Sequence, residues 1–161
     1  MTDSVEIYEC CPEDVDNSLR ALWLGLASEM FEIEHYTVPS EANGDRWVKF
    51  VREGLTSGKN FLLAAKDKNK LVGFAYASLF RDFPLEVTGT IGVINDVYVL
   101  PELRGRGIGR KLVERCLSKM KAEGVDAVRL TVLTENKAVV ELYEKLGFKI
   151  CRYGMLKPFK H

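Results

Sequence analysis

The chain has 161 residues, 47% of them hydrophobic and 29% charged, with 23 Lys and Arg balancing 23 Asp and Glu. This size and mix fit one globular domain with a real core, and the zero net charge leaves no basic field to hold a nucleic-acid backbone. No apolar run nears the ~20 residues of a bilayer span, and no basic stretch leads an apolar one after Thr2-Asp3-Ser4, so the expectation is a cytoplasmic protein without a secretory leader, nucleic acid or membrane partner.

Residues 5–9 alternate apolar and polar and predict a first strand. Pro12-Glu13-Asp14 predicts a helix start, with proline in the first turn and acids at the positive end of the dipole. Val15, Leu19, Leu22, Leu26 and Met30 then recur at helical spacing. A polar and aromatic stretch over 32–40 breaks the pattern. Pro39-Ser40-Glu41 opens a second helix with Trp47, Phe50, Val51 and Leu55 on one face, ending near Ser57-Gly58. Strands are predicted at 61–66 and 71–80 around a polar turn at 67–70. A loop around Pro84 follows over 81–89, then a long apolar strand over 90–100. The next helix carries Ile108, Leu112, Val113, Leu117 and Met120 on one side and stops at Gly124. A strand at 127–133, a short helix at 136–146 closed by Gly147, and a last strand pair or bent strand at 148–158 with Gly154 as a bulge or turn complete the chain. There are no repeats and no linker, so residues 1–161 read as a single α/β domain.

Cys10, Cys11, Cys116 and Cys151 form no CxxC pair, and His35 and His161 are the only histidines. Reduced thiols and no metal site are the expectation.

The stretch Val97-Tyr98-Val99-Leu100-Pro101-Glu102-Leu103-Arg104-Gly105-Arg106-Gly107-Ile108-Gly109-Arg110 is the most informative. A strand meets a proline stop, then a glycine-rich turn loaded with arginine, then an amphipathic helix. Backbone amides, a helix N-terminus and positive charge converge there, which suits a pyrophosphate. A plain strand-to-helix turn with solvated arginines is the alternative. No Lys-Ser or Lys-Thr follows the glycines, as a P-loop requires. Their GxGxG spacing and Pro101 also fit a dinucleotide fold poorly.

With Asn136-Lys137-Ala138-Val139-Val140-Glu141-Leu142-Tyr143-Glu144-Lys145-Leu146-Gly147-Phe148 added, the chain resembles the GNAT superfamily of acyl-CoA N-acyltransferases. Arg104, Gly107 and Gly109 meet that family's acetyl-CoA signature. Asn136, Leu142, Tyr143, Lys145, Gly147 and Phe148 keep its helix register, with Ala138 one place early. The likeness is strong over residues 90–150 and elsewhere rests on element order. It implies a single N-acetyltransferase domain, a central mixed, mostly antiparallel sheet flanked by helices, in the order β-α-α-β-β-β-α-β-α-β-β. It implies acetyl-CoA as co-substrate, its pantetheine arm lying between the splayed fourth and fifth strands. Val97, Tyr98 and Val99 would pair with that arm. Residues from Arg104 through Gly105, Arg106, Gly107, Ile108 and Gly109 to Arg110 would cradle the pyrophosphate, and Asn136 would line the cleft. A homodimer is the family expectation.

Tyr143 is the expected general acid for the departing thiolate, a role suited to a phenol of pKa about 10. The attacking amine must lose a proton, and Asp96 is the candidate base, with solvent as the alternative. Strand alternation sends Asn95 and Asp96 to opposite faces. No cysteine is paired with a histidine, so direct attack in a ternary complex is preferred to an acyl-enzyme. Glu29, Glu32 and Glu34, beside Phe31, His35 and Tyr36, would receive a cationic amine, whereas Arg81, Arg152 and Lys157 would favour an acidic one. The sequence therefore predicts acetyl transfer to a primary amine of a small molecule, peptide or protein. A non-catalytic acyl-CoA-binding module of the same fold is the alternative.

Overall fold

The computed structural model describes residues 5–80 and 89–159. The loop expected around Pro84, Arg81 with it, and His161 lie outside these residues. Two compact units divide between Thr131 and Val132.

The first unit begins with β1 (Val5–Glu9). The helix expected from Pro12 starts later. Pro12–Asp14 is a single 3-10 turn, and α1 spans Asn17–Glu34. The reason is the cap: the Asp16 carboxylate accepts the N–H groups of Ser18 at 2.8 Å and Leu19 at 3.2 Å, so the helix begins behind it. α1 ends as His35 turns to φ 60° and donates its N–H to the Phe31 carbonyl at 3.0 Å. α2 (Glu41–Thr56) starts on Ser40, whose hydroxyl accepts the Asn43 N–H at 3.2 Å.

β2 (Asn60–Asp67), β3 (Lys70–Phe80), β4 (Ile91–Val99) and β5 (Ala127–Leu130) complete the sheet, with α3 (Ile108–Ala122) between the last two. Five strands lie in sequence order, the first three pairings antiparallel and β4–β5 parallel. One face packs Leu62, Ala64, Phe74, Tyr76 and Tyr98 against Leu19 and Leu22 of α1 and Trp47 and Val51 of α2. α3 lies on the other face. A Cβ on Gly92, which pairs with Leu79, would come within 2.7 Å of the Met120 sulfur. Ile108, Leu112, Val113, Cys116 and Met120 are its buried stripe.

β4 is irregular at one point. Tyr76 pairs with Asp96 and Ala77 with Ile94, so Asn95 is an extra residue, a β-bulge. The β4–β5 ladder runs from Ile91–Ala127 to Ile94–Leu130 and stops where the bulge begins. β5 is accordingly shorter than the 127–133 expected: a bulge bends and twists its strand, which carries the edge of β4 away from its neighbour.

In the second unit, α4 spans Lys137–Lys145. The strand pair or bent strand expected over 148–158 is not formed. Alternating side chains mark faces, but a strand needs a ladder partner, and no strand among the described residues pairs with this segment. No helix of the described residues is long and apolar enough to cross a membrane.

Candidate functional site

Backbone direction decides what β4 offers. The Leu100 N–H donates to the Val72 carbonyl at 2.9 Å, so Leu100 and, by alternation, Tyr98 turn their backbone groups toward β3. Val97 and Val99 turn theirs to the other edge, past the end of β5. The Val99 carbonyl there accepts the Arg104 Nε–H at 2.9 Å. The Val97 N–H and carbonyl and the Val99 N–H remain on an edge that an extended chain with amides of its own can join. Of the three strand residues expected to meet such a ligand through their backbone, the geometry favours Val97 and Val99.

A turn at Pro101–Leu103 then leads into the glycine segment. Gly105 and Gly107 have φ of 77° and 78°, and a Cβ on either would meet nothing within 4 Å. Glycine serves conformation here, and the space beside the turn is open. Gly107 caps α3 without a side chain, and the Lys111 N–H donates to its carbonyl at 3.0 Å. The N–H groups of Ile108, Gly109 and Arg110 precede that bond in the first helical turn, so they have no intrahelical acceptor. Such a set of donors at a positive helix end suits a diphosphate.

The three arginines differ. Arg104 lies 5.4 Å over the Tyr98 ring, and its guanidinium holds the Val99 carbonyl and, at 2.6 Å, Glu29 of α1. Arg110 pairs with Glu114 at 2.9 Å. Arg106 is exposed and makes no ion pair among the described residues.

The bulge builds a second feature on the α1–α2 face. Asn95 and Asp96 share that face, contrary to the alternation expected, because the extra residue resets the period. The Asn95 amide donates to Ser78 Oγ at 2.7 Å, and Asp96 Oδ2 accepts the Trp47 indole N–H at 3.3 Å. Burial pushes the Asp96 carboxyl above the usual carboxylate range, against the opposing pull of the indole bond. Trp47 is 7% exposed, stacked on Trp23 with centroids 5.8 Å apart and set edge-on to Phe74 at 5.4 Å. Across the register from Asp96, the Tyr76 hydroxyl accepts the Asn60 side-chain N–H. Burial raises that phenol too, with the Asp96 charge adding to it. Trp47 and Tyr76 were legible only as members of an apolar helix stripe and a strand, and Asn60 fell just before the strand expected over 61–66. Nothing local to residue 47 announces a carboxylate 49 positions later.

Of the acidic segment at the end of α1, Glu29 is bound to Arg104 and Glu34 accepts the Thr37 hydroxyl at 2.6 Å. Cys10 and Cys116 are buried, and burial pushes both thiols up to about 12. Among the described residues no His, Cys, Asp and Glu cluster could hold a metal.

In the second unit, Asn136 precedes α4 and its carbonyl accepts the N–H groups of Val139 at 3.1 Å and Val140 at 3.0 Å. Tyr143 is buried, its ring edge-on to Phe148 at 5.7 Å. Arg152 and Lys157 are exposed, the latter 5.5 Å over the Phe159 ring.

Comparison with known proteins gives the family and the fold. The acetyltransferase (GNAT) family model matches residues 20–148. Mycothiol acetyltransferase of Paenarthrobacter aurescens is 35% identical over 91 residues, which is 56% of this chain and 27% of that protein. This chain thus spans little more than a quarter of that relative. A mutant of the BH1408 protein from Bacillus halodurans superposes with a TM-score of 0.79 at 23% identity, covering 96% of this chain and 99% of that one. An aminoglycoside acetyltransferase from an uncultured soil metagenomic sample gives 0.70 at 26% identity, covering 98% and 99%.

Proposed function

The chain belongs to the GNAT acetyltransferase family, and on that footing we propose that it is an acetyl-CoA-dependent N-acetyltransferase acting on a primary amine. One observation carries the proposal: a strand edge open at Val97 runs within ten residues into a helix start open at Gly107. An arm with peptide-like amides followed by a pyrophosphate matches that sequence of donors, and coenzyme A has both. In this reading residues 1–161 act as one catalytic domain.

The amine nitrogen attacks the thioester carbonyl directly, and the carbon–sulfur bond breaks as the amide forms. Asp96 takes the proton the amine must lose, a task favoured by a carboxyl raised toward neutrality. Tyr143 gives its proton to the departing thiolate, and Asn136 lines the cofactor arm; the family register supports both roles. Arg106, rather than the engaged Arg104, supplies mobile charge to the pyrophosphate. Direct attack is supported by the two buried thiols, whose raised pKa leaves little thiolate for an acyl-enzyme.

The test is acetyl-CoA with a mixed amine panel, followed by free thiol release. Amine-dependent release is expected. Coenzyme A binding without release for any amine would replace the transferase with a binding module. No heat of binding at millimolar coenzyme A would remove the cofactor site itself.

A further inference from the structure

We propose that Trp47 is a positioning residue, its indole N–H holding Asp96 by Oδ2 and leaving Oδ1 as the oxygen that receives the amine proton. This rests on the transferase reading with Asp96 as base. The bond joins α2 to the β4 bulge at 3.3 Å. The indole that makes it has little freedom, since Trp23 covers one side and Phe74 meets it from the sheet. A lone half-buried carboxylate has several rotamers; one fixed donor selects among them. The indole is a donor only, so its bond favours the charged carboxylate, the form a base must hold before it accepts a proton.

The groups facing Asp96 are few. Trp47 comes from α2 and the Tyr76 phenol from β3, itself bonded to Asn60 of β2; α1 contributes Trp23 against Trp47. Among the described residues, burial raises the Asp96 carboxyl and the Trp47 indole bond opposes it, with no charged side chain adding to the shift. A buried indole takes an acceptor in any core; a purely packing role leaves the titration of Asp96 unmoved, whereas a positioning role shifts it.

The acid limb of the kcat/KM profile reports the free enzyme's base. Trp47→Phe keeps an aromatic ring and deletes the donor. The limb is expected to move upward by about one pH unit. Trp23→Phe disturbs the same stack without touching the donor, and its limb is expected to stay with the parent's. Fluorescence gives a second readout, because Trp23 and Trp47 are the only tryptophans in the chain. Parent emission should step with pH at the kinetic midpoint, and the step should vanish in Asp96→Asn. This measurement decides if Trp47→Phe does not fold. An unmoved limb in folded Trp47→Phe, an equal shift in Trp23→Phe, or parent emission without an Asp96-dependent step overturns the inference while transfer itself stands. Absence of transfer to every amine defeats the transferase reading and the inference together.

Discussion

Asp96 combines a poor position for stability with a useful one for chemistry. Its carboxyl titrates above its unfolded range because burial disfavours the charge. The fold is therefore favoured while the group is protonated, and that contribution is lost as pH rises from the ordinary carboxylate value through the raised folded value. Asp96→Asn keeps the shape and an acceptor for Trp47 but carries no charge. It should lower kcat/KM by about 10²–10⁴-fold, the usual worth of a general base. It should also raise the urea midpoint at neutral pH and flatten its pH dependence; a lower midpoint would contradict the burial described. Arg106 makes the opposite case, an exposed cation with no ion pair among the described residues. Arg106→Gln should raise KM for acetyl-CoA by about threefold to tenfold, with kcat unchanged and a weaker dependence on salt.

Between β4 and α3, the turn depends on two glycines in the left-handed region rather than on crowding. Gly107→Ala should cost about 1–2 kcal/mol, since no neighbour lies within reach of the new methyl group. Gly107→Asn should cost less, because asparagine tolerates that conformation; urea unfolding of both variants checks the order. This turn was legible because its signal is local: strand, proline, glycines and amphipathic helix are contiguous. Ser40 and Pro39 marked the α2 start for the same reason. The Asn95 bulge was not legible, because a period-two reading has no means of adding one residue to one side of a ladder. That single insertion accounts for the misplaced facing of Asn95, and it coincides with the early end of β5. The Asp96 partners were hidden for a different reason. Their meeting depends on how α2 crosses the sheet, which periodicity cannot encode. Residues 148–158 show the limit again: an alternating pattern names faces, while pairing depends on another strand.

At the scale of the molecule, the cysteines sample both sides of the sheet. Cys10 belongs to the core beneath α1 and α2, whereas Cys116 lies on the buried stripe of α3. Cys11 and Cys151 are exposed. A disulfide reagent at neutral pH should therefore label two thiols at once and two only as structure opens. If the two helical faces open as one cooperative unit, Cys10 and Cys116 should react at the same rate, and that rate should rise with urea along the global unfolding curve. Separate rates would mean that α3 leaves the sheet independently of α1 and α2, and the cofactor loop at its start would then belong to the less stable element. Blocking Cys11 and Cys151 should leave acetyl transfer intact, because direct attack needs no sulfur nucleophile. Loss of transfer on blocking, restored by Cys11→Ser with Cys151→Ser, would point to bulk near the site. Loss in both the blocked and the serine forms would point to thiol chemistry and against direct attack.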